Sequence, residues 1–198
     1  EKEAHITTQF FKAAGDVIFL VGEVGRDLGG SRFLKVCYGK KVGPPPRLDI
    51  EREIEVQNAV RELIREGLVK SAHDCSEGGL AVALAECCFN PDQHFGADVD
   101  LSDTRMSGDE NLQALENLFN ESQSRIVISC EPANADQVYT HLENRSVPCL
   151  QLGKVGVDQL RISANGVEAR WPIETIHDDW FNAIRRAVES DAEPVRSL

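Results

Sequence analysis

Short apolar runs separated by polar segments mark the predicted strands. Residues 17–21 form an uninterrupted apolar run, which predicts a short strand buried on both faces. Residues 126–129 predict a second buried strand, and the alternation over residues 97–101 predicts a half-buried one. The remaining predicted strands cover residues 68–72, 149–155, 159–163 and 167–171, the last two forming a hairpin turned by Asn165-Gly166.

Apolar residues at helical spacing mark the predicted helices. The longest is expected after the N-cap Asp49 and before Gly67, which ends it. Its apolar stripe is assigned to Ile50, Ile54, Val60, Leu63 and Ile64. Further helices are predicted from Asp109 to Phe119-Asn120, over 132–144, and over 173–189, with Trp180, Phe181, Ile184 and Val188 turned inward in the last.

The polar segments between these elements define the organisation of the chain. A glycine-rich loop covers residues 22–31, where Ser31 is expected to cap the next element, and three consecutive prolines give an extended connector at 44–46. We divide the chain into a lead-in from a preceding domain (1–14), one domain (15–190) and a polar tail (191–198). Strands and helices intermix without an internal repeat, which predicts an α/β (α+β) fold, a mixed β-sheet with helices on its faces.

The stretch SAHDCSEGGL at residues 71–80 is the most informative part of the sequence. We interpret residues 68–72 as the end of a strand, 73–77 as a tight loop, and Gly78-Gly79 as the start of a helix that reaches about residue 89. The first N–H groups of a helix lack intrahelical partners, and the positive end of its dipole favours anions. A phosphate-handling loop is therefore one interpretation of this junction.

Four further side chains, His73, Asp74, Ser76 and Glu77, bring titratable or hydroxyl groups to this junction. In the phosphate interpretation, Gly78, Gly79 and Ser76 offer backbone N–H groups and a hydroxyl to phosphate oxygens. In the structural interpretation, His73 and Asp74 satisfy buried backbone groups, and the glycines allow close packing. The spacing alone does not decide between the two interpretations.

A second polar cluster, Glu121-Ser122-Gln123 followed by Arg125, precedes the strand at 126–129. Both clusters lie next to predicted strands, so they can meet at one end of a sheet. We expect them to face one cleft, with Ser122 and Gln123 bonded to the polar edge of a ligand. In the structural alternative, Arg125 pairs with Glu121 at the surface and contributes little stability.

Composition narrows the range of functions. The chain has 198 residues, of which 41% are hydrophobic and 27% charged, and its formal net charge is −12. Such a charge argues against non-specific binding to nucleic acid or anionic membranes. No apolar run approaches the length of a membrane span. The six cysteines form no Cys-x-x-Cys pair, and Cys87, Cys88 and Cys130 lie in apolar runs, so we expect buried thiols and a cytoplasmic location.

The beginning of the sequence raises the question of its origin. The chain starts with Glu1, and Met106 is its one methionine. We therefore keep open the interpretation that it is a mature or excised piece.

Three segments together resemble a known family. They are HDCSEGGLAVALAE at 73–86, LGGS at 28–31 and FNESQSR at 119–125. This combination resembles the last domain of the formylglycinamide ribonucleotide amidotransferases, also called phosphoribosylformylglycinamidine synthases (PurL), within the aminoimidazole ribonucleotide synthetase-like superfamily. The resemblance extends from about Gly15 nearly to the C-terminus. It implies the fold of the C-terminal domain of aminoimidazole ribonucleotide synthetase.

The resemblance also implies a function. Enzymes of this family are ATP-dependent C–N ligases of purine biosynthesis that convert formylglycinamide ribonucleotide to its amidine, using ATP and Mg²⁺. The implied partners are the preceding domains of the same enzyme, a glutaminase subunit and a small bridging subunit. We expect the isolated chain to be inactive, because it lacks a Walker-type lysine loop. We also expect it to form a homodimer through the sheet or the Phe10-Phe11 region.

The resemblance implies roles for single residues as well. In the family's earlier copy of this domain, an aspartate before a glycine-rich loop binds Mg²⁺ and a Glu-Ser-Gln tripeptide touches the substrate. The matching positions are Asp74 for the metal and Glu121, Ser122 and Gln123 for the ligand. This chain departs from that pattern at Ser76, Glu77 and Arg32, so an auxiliary or structural nucleotide site competes with a catalytic one. The alternative functions are a stand-alone module that binds a phosphorylated metabolite and a related synthetase or phosphotransferase.

Overall fold

The fold is that of a computed structural model, which describes residues 3–102, 110–164 and 167–191. Its strands form one sheet, in the order β2-β4-β1-β5-β3-β6-β7. Neighbouring strands run antiparallel except β3 and β6, which are parallel. The strands are β1 (Val17–Val21), β2 (Ser71–Asp74), β3 (Gly96–Asp100), β4 (Ile126–Cys130), β5 (Cys149–Gly156), β6 (Gln159–Ala164) and β7 (Val167–Pro172). This arrangement confirms the predicted mixed sheet.

Helices cover both faces of the sheet. They are α1 (Arg32–Tyr38), α2 (Ile50–Arg65), α3 (Gly79–Cys88), α4 (Glu110–Phe119), α5 (Ala135–Asn144), α6 (Ile173–Phe181) and α7 (Ala183–Asp191), with short 3₁₀ turns at Glu3–His5 and Pro132–Asn134. Strand β1 shows how the two layers of core are built. Ile18 and Leu20 join one buried cluster together with Leu84 of α3. Phe19 joins the other together with Leu63 of α2, so β1 is buried on both faces as predicted.

Strand β2 begins three residues later than predicted, at Ser71. The N–H of Leu68 still bonds to the carbonyl of Leu63 at the end of α2. Pairing with β4 then covers residues 71–74, in register with Ser129 through Ile126. The prediction that residues 73–77 form a loop is therefore wrong for His73 and Asp74, because both belong to the strand.

Helix α2 has the predicted ends but a different buried face. The Asp49 carboxylate accepts a bond from the N–H of Arg52 at 3.0 Å, and Gly67 adopts a φ of 70° after the last turn. Ile50 and Ile54 are 65% and 51% exposed, so their assignment to the apolar stripe is wrong. At 100° per residue they lie roughly 120° and 160° around the helix from Val56, which is buried.

The predicted closing helix is divided at Asn182 into α6 and α7. Ile173 is buried and Ile176 packs against the core. The four residues expected to face inward are instead exposed. The two isoleucines occupy the side of α6 that faces the core, and α7 packs mainly on α6. The exposed fractions of the four residues are 49% for Trp180, 69% for Phe181, 82% for Ile184 and 65% for Val188.

The first described residues pack onto the same domain. The N–H of Phe11 donates to the carbonyl of Cys87 at 2.8 Å, and Phe11 is fully buried. The self-association surface suggested at Phe10-Phe11 therefore lacks an exposed Phe11. The boundaries at residues 14 and 190 stay predictions.

Several predicted features lie outside the described residues. They are the Asn165-Gly166 turn, the helix start at Asp109 and the tail beyond Asp191. The hairpin strands themselves pair as predicted, with Ala164 opposite Val167. Within the described ranges, no helix has the length and apolar character needed to cross a membrane.

Candidate functional site

The pairing of β2 with β4 brings the two polar clusters of the sequence together. Asp74, the last residue of β2, lies opposite Ile126, the first residue of β4. One step further, the N–H of Cys75 donates to the carbonyl of Arg125 at 2.9 Å. Residues 75–79 therefore run beside residues 120–125 at one end of the sheet.

A cleft of about 520 Å³ opens at this end of the sheet. Of the eight residues that the sequence assigned to a site, it is lined by Asp74, Ser76, Glu121 and Gln123. The cleft is also lined by residues of the glycine-rich loop and the proline connector, and by two residues of α2. They are Gly29, Gly30, Pro45, Pro46, Glu53 and Gln57. The other four assigned residues, His73, Gly78, Gly79 and Ser122, do not line this cleft.

The Glu121 carboxylate holds two segments of the chain together. Its Oε1 accepts the N–H of Gly78 and the N–H of Arg32, each at 2.8 Å. Gly78 is the N-cap of α3, where the helix dipole favours negative charge. The anion at this helix start is thus a side chain of the protein itself.

Polar groups in the cleft and next to it also bond to one another. The Arg32 guanidinium forms an ion pair with Glu77 at 2.7 Å, which raises the pKa of Arg32. The Ser76 hydroxyl donates to the Asp74 carboxylate at 2.8 Å. Arg32 and Glu77, both departures from the family pattern, therefore compensate each other.

Carboxylates dominate the charge of the cleft. Glu53, Asp74, Glu77 and Glu121 line it together with the buried Arg125, and Arg32 pairs with Glu77. Negative charges this close together disfavour a free anion and favour a cation. An anionic ligand would need a cation to offset these carboxylates.

Asp74 is the residue that the sequence assigned to a metal ion, and it lines the cleft. In the parts of the chain that the structure describes, no three His, Cys, Asp or Glu side chains form a metal cluster. Mg²⁺ at nucleotide sites usually takes one or two carboxylates, with phosphates and waters as the other ligands. The Asp74 side chain is 69% exposed, so it suits that mode and does not suit a metal held by protein ligands alone.

The two glycines at the start of α3 are closely surrounded. Gly79 has a φ of 66°, and a Cβ there would lie 2.5 Å from the carbonyl oxygen of Asn120 and 2.8 Å from that of Leu118. Gly78 has a φ of 85°, and a Cβ there would meet the Val82 side chain. Gly79 thus lets α3 approach the end of α4, which is the structural interpretation considered for this pair.

His73 connects β2 to α3 and α6, and its Nδ1 lies 3.7 Å from the Asp74 carboxylate. Its Nε2 lies 2.9 Å from the Glu86 carboxylate, whose other oxygen accepts the indole N–H of Trp180 at 3.3 Å. The His73 hydrogen bond is the main reason that the pKa of Glu86 is lowered. This position fits an internal structural link.

Arg125 is a residue whose surroundings the sequence did not reveal. The surface pair with Glu121 is wrong, because Arg125 is only 2% exposed. Its guanidinium donates to the carbonyls of Ser122, at 3.2 Å, and Asn120. Burial lowers the pKa of Arg125. It fixes the shape of the segment that carries Glu121, and an arginine directly before an apolar strand gave no signal of this.

Ser122 points to the glycine-rich loop. Its hydroxyl donates to Asp27 at 3.3 Å, and a Cβ on Gly25 would lie 1.9 Å from that hydroxyl oxygen. The sequence showed this stretch only as a glycine-rich loop. Its glycines let it approach the 120–125 segment closely.

Comparison with known proteins gives a consistent result. The model of the family described as AIR synthase related protein, C-terminal domain, matches residues 13–164. One curated relative is the phosphoribosylformylglycinamidine synthase subunit PurL of Caldanaerobacter subterraneus subsp. tengcongensis, 37% identical over 190 residues. The match covers 96% of this chain and 25% of the relative, so the chain spans about a quarter of the length of the relative.

Solved structures show the same fold. PurL from T. maritima complexed with ATP matches with a TM-score of 0.67 and 20% identity, over 88% of this chain and 27% of that one. The complex with FGAR gives 0.69 and 22%, over 88% and 30%. The structure of PurLQS from Thermotoga maritima gives 0.65 and 21%, over 88% and 28%.

Proposed function

The chain belongs to the family of AIR synthase related proteins as a C-terminal domain, and from this premise we propose that it is the last domain of a phosphoribosylformylglycinamidine synthase. The ligase activity then belongs to the whole enzyme, which forms formylglycinamidine ribonucleotide with ATP and a nitrogen donor. The relative named above carries this name and matches nearly the entire chain. Glutaminase and bridging subunits are the proposed partners, in line with the assembly that the PurLQS structure represents.

The proposed role of this domain is to line a site for a magnesium-bound phosphate compound, ATP above all. The observation that carries it is the β2–β4 register, which is in accord with the position of Asp74, Glu121 and Gln123 in the lining of one cleft. Asp74 would hold Mg²⁺, and the metal would offset the repulsion between the cleft carboxylates and the ligand phosphates. The ATP complex of a protein with this fold is in accord with a nucleotide as ligand.

Some of the assigned residues would contact the ligand, and others would hold those residues in place. Ser76 and Gln123 line the cleft and offer a hydroxyl and an amide to polar edges of the ligand. Ser122 would act through the glycine-rich loop that it contacts. His73 and Gly79 would stabilise the elements that carry the site. His73 links β2 to α3, and Gly79 allows α3 to lie close to the end of α4.

The test is Asp74→Asn in the full-length enzyme, with two measurements on each sample. The first is the thermal midpoint without ligand, and the second is the amount of nucleotide that remains bound after desalting in Mg²⁺. Because the Asp74 side chain is exposed, we expect a small change in the midpoint and a large loss of nucleotide.

Asp98→Asn is the matched control, because Asp98 is an exposed carboxylate that pairs with Arg161 on the sheet and is not among the residues lining the cleft. It should keep the nucleotide. A large drop in midpoint for Asp74→Asn with unchanged nucleotide would mean that Asp74 is structural.

The isolated chain should be inactive. It carries no Walker-type lysine loop, and it spans only 25% of its relative. Amidine formation from ATP and ammonia by these 198 residues alone would contradict the assignment to one domain of a larger enzyme.

A further inference from the structure

Residues 30–48 form an arm, which consists of α1 and the connector to α2. The Gly30 N–H donates to the Val42 carbonyl at 2.9 Å, so the chain leaves the domain and returns to it at one place. The Phe33 ring stacks on Phe119 of α4, with 4.8 Å between the ring centroids, and attaches the first turn of α1 to the domain. Beyond this contact, residues 35–45 are all exposed. Most of the arm is therefore uncovered.

The exposed part of the arm carries large apolar side chains. Val36, Tyr38 and Val42 are each more than half exposed. Leu48 and Ile50, where the chain enters α2, are also more than half exposed. Single exposed apolar side chains are normal, whereas a concentration of them marks an interaction site. A helix of seven residues is too short to be stable in water without packing, and none of the residues of α1 is buried. The arm thus lacks much of the cover that its helix needs.

The arm is also basic, although the chain as a whole is acidic. It contains five cations and no aspartate or glutamate, which gives it a formal charge of +5. The cations are Arg32, Lys35, Lys40, Lys41 and Arg47. Because the whole chain has a formal charge of −12, its other residues together carry −17. Such a separation of charge within one domain favours a partner whose facing surface is acidic.

We propose that the arm docks onto an acidic and partly apolar surface of the part of the enzyme that lies outside this chain. The identity of this partner rests on the proposed function. The chain spans about a quarter of the length of its relative, so most of such an enzyme is available to face the arm. Domains of one chain commonly share interfaces of roughly 600–1,500 Å². The apolar side chains supply the buried area, and the cations select a carboxylate-rich surface.

The surroundings of the arm argue against other anionic partners. A nucleic acid or an anionic membrane would attract the cations of the arm but would be repelled by the charge of −17 on the rest of the chain. A docked domain avoids this repulsion, because its carboxylates need to face only the arm. Gly30, Pro45 and Pro46 of the arm also line the cleft. A partner on the arm therefore lies beside the cleft and can complete its wall.

The test uses Cys37, an exposed thiol of α1, as a reporter of cover over the arm. A thiol reagent should label Cys37 rapidly in the 198-residue chain and on the order of tenfold more slowly in the full-length enzyme, because the docked surface shields it. Mass spectrometry of the peptide that contains Cys37 measures the rate. Equal rates in the two proteins would overturn the proposal.

Charge reversal at Lys40 and Lys41 tests the acidic character of the partner. In the full-length enzyme, Lys40→Glu with Lys41→Glu should raise the labelling rate of Cys37 toward that of the isolated chain, because like charges then face each other. Both lysines are exposed, so the thermal midpoint of the isolated chain should hardly change. The matched control is Arg65→Glu with Lys154→Glu, which makes the same change in charge at exposed positions outside the arm. Labelling should stay slow in this control. Fast labelling in both double variants would overturn the proposal, and so would slow labelling in both.

Two further measurements complete the test. Lys40→Gln with Lys41→Gln covers the case in which the charge-reversed variant is unstable, and it should raise the labelling rate in the same direction to a smaller extent. Slow labelling of the isolated chain that becomes fast on dilution would assign the arm to a second copy of the chain and overturn the proposal. None of these rates depends on Asp74 or on bound nucleotide, so the proposal and the role proposed for the cleft fail separately.

Discussion

Replacing Gly79 by alanine should destabilise the fold far more than the same change at another glycine with positive φ. Gly79 has a φ of 66°, and its surroundings are backbone atoms: a Cβ would lie 2.5 Å from the Asn120 oxygen and 2.8 Å from the Leu118 oxygen. Contacts below 3.0 Å are essentially never made by real Cβ atoms, so α3 and the end of α4 must move apart. Gly67, with a φ of 70° and nothing within 4 Å of a Cβ, is the matched control.

The expected magnitudes follow from two separate costs. A left-handed conformation costs a non-glycine residue about 1–2 kcal/mol. The smaller entropy of the unfolded chain with alanine offsets roughly 0.4–1 kcal/mol of this. Gly67→Ala should therefore lose about 1 kcal/mol. Gly79→Ala carries in addition an overpacking cost of about 1–3 kcal/mol, which gives a total loss of about 3 kcal/mol.

Urea unfolding followed by far-ultraviolet circular dichroism measures both variants against the wild type. Comparable slopes are required, so that the free energies of unfolding can be compared. Equal losses in the two variants would refute the packing argument. An unchanged stability of Gly79→Ala together with lost phosphate or nucleotide binding would instead restore the interpretation in which Gly79 lets a ligand approach the backbone.

Two further predictions concern thiols and pH. Burial raises the pKa of Cys75 to about 11 and of Cys88 to about 12, whereas Cys37 is exposed. A thiol reagent should therefore label Cys37 rapidly in the native chain, and Cys75 and Cys88 only after unfolding. Rapid labelling of Cys75 in the native chain would contradict the structure. Burial and the neighbouring His94 lower the pKa of His177 below 6.5, so the unfolded chain binds that proton more readily and stability should fall as the pH falls below about 6.5. His177→Gln should flatten the pH dependence of the thermal midpoint in this range, and an unaltered slope would exclude His177 as a source.

Local chemistry in the sequence was enough to predict most element ends. Ser31 caps α1 by accepting the Leu34 N–H, Asp49 caps α2, and Gly67 ends α2 with a positive φ. A helix cap depends on residues within one turn of the helix end, so the local sequence is enough to predict it. The apolar run at 17–21 likewise predicted a strand buried on both faces, because no polar side chain was available for a solvent face.

Faces and partners depended on the tertiary structure. Ile50 and Ile54 of α2 are apolar yet exposed, and Phe181 of α6 is exposed as well, because the surface each helix buries is set by what it packs against. The composition of a helix gives its apolar residues but not the rotation that selects among them. Arg125 is the opposite case, because it is charged and yet buried. Its guanidinium donates hydrogen bonds to carbonyls of the loop before β4.

For the candidate site, too, the sequence predicted one part and the tertiary structure decided the other. The sequence by itself determined that Asp74, Ser76, Glu121 and Gln123 are polar residues next to buried strands, and that phosphate and metal chemistry is within their reach. Only the pairing of β2 with β4 decided that they line one cleft. Only the fold decided that Glu121 fills the helix start, since that bond joins residues 43 positions apart in the chain. Hydrogen bonds over such separations leave no periodic trace in a sequence, and they exist because the sheet register brings their donors and acceptors together.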